Sequence, residues 1–410
     1  MDRPPVTGSL VPDAGGLDAS RPDTAQGPAS HVFSGPVLST SAGLYEIEPD
    51  LAVSSTGVVA SAFMASGPGT IAYAFSRDDG ASWSAPQALL APPNSQAVDP
   101  SLAADGAGGF LLTYLTEGAA GRHVYAAMAP EGTMTFGEPV EVSDPAAPAT
   151  YDKPWALVLA DGTRVIVYTT DSGNTVYVAR STSTGIWTRS SIAPDGTLRG
   201  VAFPCASGTR LFVAYLVPGG IALSASDDGG ATWPAASTTV VQAATERAAF
   251  EMPTCVANGS DVWISYGLTK DVNSEQRADE LTAIRIAHSK DSGRSIDARY
   301  STGEGGHFMH PRLVRDAVGT LHLVYYEGAR AGDAAGSFRH ARSIDDGVTW
   351  TATEAIGPAI TFETSRTGFD WLGDYVGAAT RGEHVYTAYV QNQTDGGQVS
   401  HVAFGRVDPP

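Results

Sequence analysis

Ser76-Arg77-Asp78-Asp79-Gly80-Ala81-Ser82-Trp83 is a phrase that returns. It reappears as Ser226-Asp227-Asp228-Gly229-Gly230-Ala231-Thr232-Trp233 and as Ser343-Ile344-Asp345-Asp346-Gly347-Val348-Thr349-Trp350. A worn copy, Ser289-Lys290-Asp291-Ser292-Gly293-Arg294-Ser295-Ile296, keeps the polar half and loses the tryptophan. Recurrence at wide intervals marks a repeated structural unit. Its chemistry is that of a turn. Asp side chains accept from backbone N–H groups one or two residues ahead, Gly supplies a positive φ, and Trp is an apolar plug with one N–H to satisfy. Apolar alternation leads into two of the copies, through Ile71, Tyr73 and Phe75 and through Ile221, Leu223 and Ala225. Each unit therefore reads as a half-buried strand entering a tight turn with a tryptophan pinned beneath it.

A second periodic mark is a proline that opens an apolar strand. It occurs at Glu48-Pro49, Asp99-Pro100, Lys153-Pro154, Phe203-Pro204, Met252-Pro253 and His310-Pro311. Each is followed by a Gly-containing turn and a strand ending near an aromatic: Phe63, Tyr114, Tyr168, Tyr215, Tyr266 and Tyr325. A seventh unit, from Gly373-Asp374-Tyr375 to Tyr389, lacks the proline. The spacing, roughly 50 to 60 residues, fits a large four-stranded propeller blade. The last unit ends after its third strand, Val399–Val407, and a lone strand at His31–Thr40 precedes the first unit. The predicted fold is all-β: a seven-bladed β-propeller whose N-terminal strand completes the C-terminal blade. Six blades is the rival count. Met128–Phe136 and Ser181–Trp187 stand where the phrase is expected and lack its Asp; Glu275–Arg285 is the one stretch with any helical character, read as a loop insertion.

The phrase resembles the Asp box, or BNR repeat, of the sialidase-like β-propellers. In that family the box joins the third and fourth strands at a blade's outer edge, away from the active site. The resemblance speaks for architecture. Asp152-Lys153-Pro154-Trp155 and Trp371-Leu372-Gly373-Asp374-Tyr375 resemble exported bacterial BNR-repeat proteins as well.

The chain has 410 residues and a formal net charge of −19, which argues against nucleic acid and anionic membranes as partners. Sequence contains no transmembrane run. Residues 1–30 are rich in Pro, Ala, Gly and Asp and read as a disordered tether, with residues 31–410 forming the propeller. Such a tether resembles the spacer after the lipid-bearing cysteine of bacterial lipoproteins, so a secreted or surface-tethered monomer is expected. The two cysteines, Cys205 and Cys255, follow the opening prolines of neighbouring units; a disulfide and two buried thiols are both open. Two cysteines without paired histidines make no zinc site.

Ligands meet a propeller at its channel mouth, where the inner strands converge. Residues flanking the opening prolines are therefore the candidates: Glu48, Asp99, Asp152 with Lys153, Glu251, His310 with Arg312, and Asp374 with Tyr375. Crowded carboxylates raise one another's pKa, which suits paired-acid glycoside chemistry; the same oxygens are raw material for a Ca²⁺ site. Otherwise no cofactor is implied. Asp374, Tyr375, His310 and Arg312 are assigned candidate catalytic roles; Glu48, Asp99, Asp152, Glu251 and Trp371 are assigned to substrate binding. His307 and His310 could ligate a metal or act as a base, and are more simply a turn pair. Arg330 and Asp333, in the Glu327–Ser337 loop, are candidates for a lid. Family sialidases hold the substrate carboxylate with three arginines, the first in an Arg-Ile-Pro phrase. Here that phrase is Glu46-Ile47-Glu48-Pro49, without the arginine. Arg312 matches one member of the triad; Arg247 and Arg342 match less well. Tyr375 matches the family's tyrosine nucleophile. The sequence thus points to a glycan-binding or glycan-processing propeller that is not a true sialidase, with a non-catalytic surface scaffold as the alternative.

Overall fold

The structure is a computed structural model. It describes residues 31–410 except 39–44, 66–69, 90, 146–149, 171–174, 183–185, 193–200, 219, 243–246, 249–251, 270–280, 329–334, 362–371 and 393–399. The proposed tether, Glu251, Trp371, the segment 275–280, Arg330 and Asp333 lie outside the described residues.

Strand β1 (His31–Leu38) precedes six four-stranded units and a three-stranded seventh that it completes. Blade 1 is β2 (Glu46–Val53), β3 (Val59–Ala65), β4 (Thr70–Ser76) and β5 (Gln87–Leu89). Blade 2 is β6 (Ser95–Ala104), β7 (Phe110–Gly118), β8 (Gly121–Ala129) and β9 (Val140–Glu141). Blade 3 is β10 (Tyr151–Val158), β11 (Arg164–Thr170), β12 (Val176–Ser181) and β13 (Thr188–Ile192). Blade 4 is β14 (Ala202–Ser207), β15 (Arg210–Val217), β16 (Gly220–Ser226) and β17 (Thr238–Gln242). Blade 5 opens with β18 (Arg247–Ala248) and β19 (Thr254–Asn258), both paired with β20 (Asp261–Thr269), and continues through β21 (Leu281–Ser289). Next comes β22 (Ala298–Arg315), whose first half closes blade 5 on β21 and whose second half opens blade 6. Blade 6 continues with β23 (Leu321–Gly328), β24 (Ala335–Ser343) and β25 (Glu354–Thr361). Blade 7 is β26 (Gly377–Arg381), β27 (His384–Asn392) and β28 (Ser400–Asp408), and β1 pairs antiparallel with β28 to complete it. The ring is seven-bladed and closed by its own N-terminal strand. No helix among the described residues is long and apolar enough to cross a membrane.

The strands leading into the repeated phrase are more buried than alternation alone implies. All seven residues of β4 are buried, polar-face positions included. The reason is blade stacking: each sheet is covered on both faces by its neighbours. Seven apolar cores result, each dominated by one junction between blades; Phe75, Phe110 and Tyr114 sit between blades 1 and 2, and Tyr386 and Phe404 between blades 7 and 1. The aromatics that mark the second strands, from Phe63 to Tyr389, are buried in every blade. Each contributes about 1.5–3 kcal/mol by leaving water.

All four copies of the phrase join a third strand to a fourth, and all four use one hydrogen-bond pattern. Ser76 Oγ donates to Asp78 Oδ1 and accepts from Gly80 N, while Ser82 donates its N–H and its hydroxyl to the two Asp78 oxygens at 2.8 and 2.6 Å. The same bonds recur around Asp228, Asp291 and Asp345. The Asp therefore reaches four residues ahead, further than an Asx turn, because two successive left-handed residues tighten the loop: Asp79 at φ 54° and Gly80 at φ 87° in the first copy. A Cβ on Gly80 would lie 2.0 Å from Phe404, so the close approach of blade 7 also requires glycine there. The worn copy keeps its polar bonds, although its tryptophan plug has become Ile296 and Ser292 stands at the first left-handed position.

Candidate functional site

The inner strands begin at the mouth and run away from it, so the repeated turns between third and fourth strands lie on the opposite face, the base. At the mouth the pre-proline residues share an unusual backbone. Glu48, Asp99, Lys153 and His310 have φ of 52°, 53°, 46° and 54°. Proline pushes its predecessor out of the right-handed helical region, and a left-handed residue other than Gly carries a cost of order 1 kcal/mol or more. In each case the ladder to the second strand slips at this point, between Ile47 and Asp50, Val98 and Ser101, Asp152 and Trp155, and Met309 and Arg312. Each is a bulge that re-aims one side chain. Blade 4 pairs without a slip through Phe203-Pro204, which fits its apolar residue at that place.

Three of the four bulges, with blade 7, build one cluster. Lys153 Nζ lies 2.6 Å from Asp374 Oδ2, 3.3 Å from Asp99 Oδ2 and 3.6 Å from Glu48 Oε1. Glu48 Oε1 also accepts the backbone N–H of Asp374 at 3.2 Å. That contact needs Gly373, where a Cβ would sit 2.6 Å from Glu48 Cγ. Asp152 Oδ1 accepts the N–H of Lys153 at 3.1 Å and its carboxyl joins the same field. One ammonium thus faces four carboxyl groups from four blades. Burial opposes the charge on Lys153, but Asp374, Asp99, Glu48 and Asp152 together outweigh it and hold its pKa well above the ordinary lysine value. Burial pushes Glu48 well above the usual carboxylate range, against the pull of Lys153 and with the help of Asp99 and Asp374. Asp152 is pushed up to about 7, again mainly by burial.

A raised carboxyl keeps its proton in the folded state after the unfolded chain has lost it. Its stabilising contribution is therefore full below about pH 4 and is lost as pH rises through about 7. Asp152→Asn should match the wild type near pH 4 and exceed it by about 2 kcal/mol at pH 8, half the full conversion because the side chain is partly solvated. Denaturant unfolding at the two pH values checks this.

Beneath the mouth, positions just after the prolines stitch the blades together. Asp50 is fully buried and accepts from Leu51 N, Ser101 Oγ and Leu102 N, and Ser101 Oγ accepts from Ala156 N. Arg312 lies with its guanidinium 4.9 Å from the Trp155 ring centre, 4.4 Å from that of Phe203 and 3.8 Å from Asp50. Tyr375 packs edge-on against Trp155, and its hydroxyl donates to the Pro100 carbonyl at 2.9 Å. Burial, reinforced by Glu48 and Asp99, holds its pKa well above the usual phenol value. A small cleft beside this belt is lined by Met252, Thr254, His310, Arg312, Asp374 and Tyr375, among others.

Of the residues read from sequence, Glu48, Asp99, Asp152 and Asp374 converge around Lys153, while His310, Arg312, Asp374 and Tyr375 border the cleft. Asp374 belongs to both groups. His307 and His310 are buried within one continuous strand, where sequence suggested a turn pair. Arg342 stands in β24 beside a base-face turn, its backbone bonded to Thr351. No group of three or more His, Cys, Asp or Glu among the described residues is placed to hold a metal ion. Asp50 and Trp155 were missed as site-builders; their shared signal is the position after an opening proline. Cys205 and Cys255 form a disulfide between β14 and β19, Cα atoms 5.6 Å apart, joining blades 4 and 5.

No protein-family model matches the chain, and no curated protein matches it. Solved structures do. A protein of unknown function from Dyadobacter fermentans superposes with a TM-score of 0.53 at 15% identity, covering 93% of this chain and 100% of the other. The Hadza microbial sialidase Hz136 gives 0.50 at 14% identity, covering 88% and 65%. A variant of the NanB sialidase from Streptococcus pneumoniae gives 0.50 at 14%, covering 92% and 70%. The fold is sialidase-like. At these identities the likeness is one of architecture, and the chemistry rests on the mouth itself.

Proposed function

We propose that this chain is an exported β-propeller that binds or processes carbohydrate at its channel mouth, and that it is not a sialidase. The observation that carries the reading is the ring of carboxyl groups around Lys153, contributed by separate blades, with Glu48, Asp99 and Lys153 themselves set on strained bulges. Strain repeated at one place in the fold is a mark of function. Sialidases among the fold neighbours make a glycan the natural ligand class. Yet the Glu46-Ile47-Glu48-Pro49 phrase lacks the family's first arginine and sets a carboxylate nearby, and an acidic mouth repels a carboxylate sugar.

If the mouth is catalytic, its chemistry is that of a carboxyl pair. Asp152 can hold a proton for a leaving group near neutral pH, and Asp374, 44% exposed, stands at the rim to act on the sugar. Tyr375 fits a packing role better, since a phenolate is disfavoured where its hydroxyl is buried beside carboxylates. This favours binding as the second reading over tyrosine-based hydrolysis. Tyr375→Phe should cost about 1 kcal/mol of stability and leave glycan binding, and any turnover, within a few-fold of wild type. A loss of turnover by a thousandfold would restore the nucleophile role.

The test of the proposal is a glycan-array screen with a parallel fluorogenic-glycoside screen on the purified protein. Glycan binding, with or without turnover, and no release of sialic acid is the expected result. Absence of any glycan binding, or sialic acid release at ordinary enzyme rates, overturns it.

A further inference from the structure

We propose that the buried His322–His340 pair, at the base of the junction between blades 6 and 7, is an acid-sensitive latch. Acidification forces a second positive charge onto the pair, which releases the Asp316–Thr320 turn and loosens blade 6 from blade 7. The device lies apart from the mouth and does not depend on what the mouth binds.

His322 stands on β23 and His340 on β24, 5% and 1% exposed. Strand alternation puts both on the face that carries Val324 and Phe338 into the core shared with blade 7. Nδ1 of His322 lies 2.9 Å from Nε2 of His340, and the rings are 22° from coplanar with centres 5.2 Å apart, so the contact is an edge-to-edge hydrogen bond. The other nitrogen of His322 lies 3.3 Å from Asp316 Oδ2. Asp316 in turn organises the turn between β22 and β23. Its Oδ1 accepts the N–H groups of Val318, Gly319 and Thr320 at 3.1, 2.8 and 2.7 Å. Burial opposes its ionisation, but the bonds from His322 and from the turn outweigh burial and hold its pKa below the usual carboxylate value. An ionised carboxylate only accepts, so Nε2 of His322 carries a hydrogen.

One proton fits between the two facing nitrogens. It sits on His340 when both rings are neutral, and on His322 when that ring is the imidazolium paired with Asp316. The hydrogen bond survives in both forms. A further proton puts hydrogens on both facing nitrogens and two cations side by side in a dry site, so the bond breaks. Burial, then His322, then Arg342 hold the His340 pKa well below the ordinary histidine value. Arg342 stands opposite His322 on β24, and Glu354 stands opposite His340 on β25. Blade 7 faces the pair with Ala378, Val385 and Val407, and with Thr380, whose hydroxyl donates to the Arg315 carbonyl; none of these titrates. Its turn adds Glu383, which is exposed. The unfolded chain takes up the proton near about pH 6.5 and the folded pair resists it. The stabilisation is therefore full above that pH and is lost as pH falls toward the depressed folded value.

The turn is where the pair gives way. β23 and β24 are paired along their whole length, whereas Ala317 and Val318 are exposed at the tip of a turn whose anchor, Asp316, is buried. The same turn holds blade 7, because Ala317 N donates to the Gly382 carbonyl at 2.9 Å. Moving His322 off Asp316 frees the turn and that bond between blades together.

Hydrogen exchange of the purified full chain at about pH 7.5 and about pH 4.5, corrected for the pH dependence of intrinsic exchange, reads the latch directly. Amides of Asp316–Thr320 are expected to exchange about tenfold faster or more at the lower pH. Those of the blade 4 turn Ser226–Trp233, whose Asp228 carboxylate is held ionised by its bonds to Thr232, should change less than about twofold. His340→Gln, which keeps a donor and cannot be charged, should remove most of the pH dependence. Glu354→Gln, which alters the titratable group opposite His340, should keep it. Nitrogen-15 spectra of the wild-type histidines need no variant: the pair should take up one proton with the turn closed and the second only as the turn opens. Two imidazolium rings with the turn still protected overturn the proposal. So do exchange that is flat with pH, undiminished pH dependence in His340→Gln, or its loss in Glu354→Gln.

Discussion

Lys153→Met is expected to destabilise the protein by about 3–5 kcal/mol at pH 8, the cost of breaking a buried ion cluster by removing one partner. The loss should shrink markedly by pH 4. Lys153 is itself charged throughout that range, because its folded pKa lies above the ordinary lysine value; its own contribution is lost only as pH rises through that raised value. The pH dependence belongs to its partners. Glu48 and Asp152 already resist ionisation because they are buried, and Lys153 is the main group pulling them the other way. Without it their folded pKa values climb further. Each then imposes a penalty that grows from about pH 4, where the unfolded chain ionises, towards pH 8. Urea unfolding of both proteins across this range measures the effect. A difference that is flat with pH would mean that Lys153 contributes packing and not charge.

The second large effect is expected from Cys205→Ser with Cys255→Ser. The disulfide closes a loop spanning 50 residues and joins the inner strands of blades 4 and 5. Chain-entropy arguments give such a loop about 4 kcal/mol. The bond lies next to Met252 and Thr254 in the cleft wall and beneath Phe203, on which Arg312 stacks. Its removal should therefore also loosen the Met252 and Thr254 side of the cleft. Guanidinium unfolding with and without reductant is the measurement. Coincident curves for oxidised and reduced wild type would show that the apolar junction holds these blades without the bond.

The fold was legible because its punctuation is local. Each repeated turn is built from residues within four positions of one another, so its chemistry survives in a linear sequence even where the tryptophan has gone, as at Ile296. Ring closure was legible for the same reason, since a blade short of a strand and a strand short of a blade both show in the order of elements. The mouth was only partly legible. Prolines announced where the inner strands begin, and the residues before them converge. That these residues adopt left-handed bulges was not written in any propensity; proline at the next position argues only against the right-handed helix. Lys153 was visible as a mouth residue, but its place at the hub depends on partners contributed by blades 1, 2 and 7. The fate of the Tyr375 hydroxyl and the stacking of Arg312 between Trp155 and Phe203 likewise arise from packing between blades.

The proposed function divides labour between the two faces: repeated turns on the base hold the blades, and the carboxyl ring at the mouth is proposed to meet the ligand. The most direct measurement is the dissociation constant of the tightest glycan from the array, taken with wild type, Asp374→Asn and Asp345→Ala. Asp345→Ala should lose about 1–2 kcal/mol of stability, because its turn bonds to Ser343 and Thr349 are gone, and should keep the wild-type affinity. Asp374→Asn should bind at least tenfold more weakly while remaining folded. Unchanged affinity in Asp374→Asn, or a comparable loss in folded Asp345→Ala, would contradict the assignment of function to the mouth.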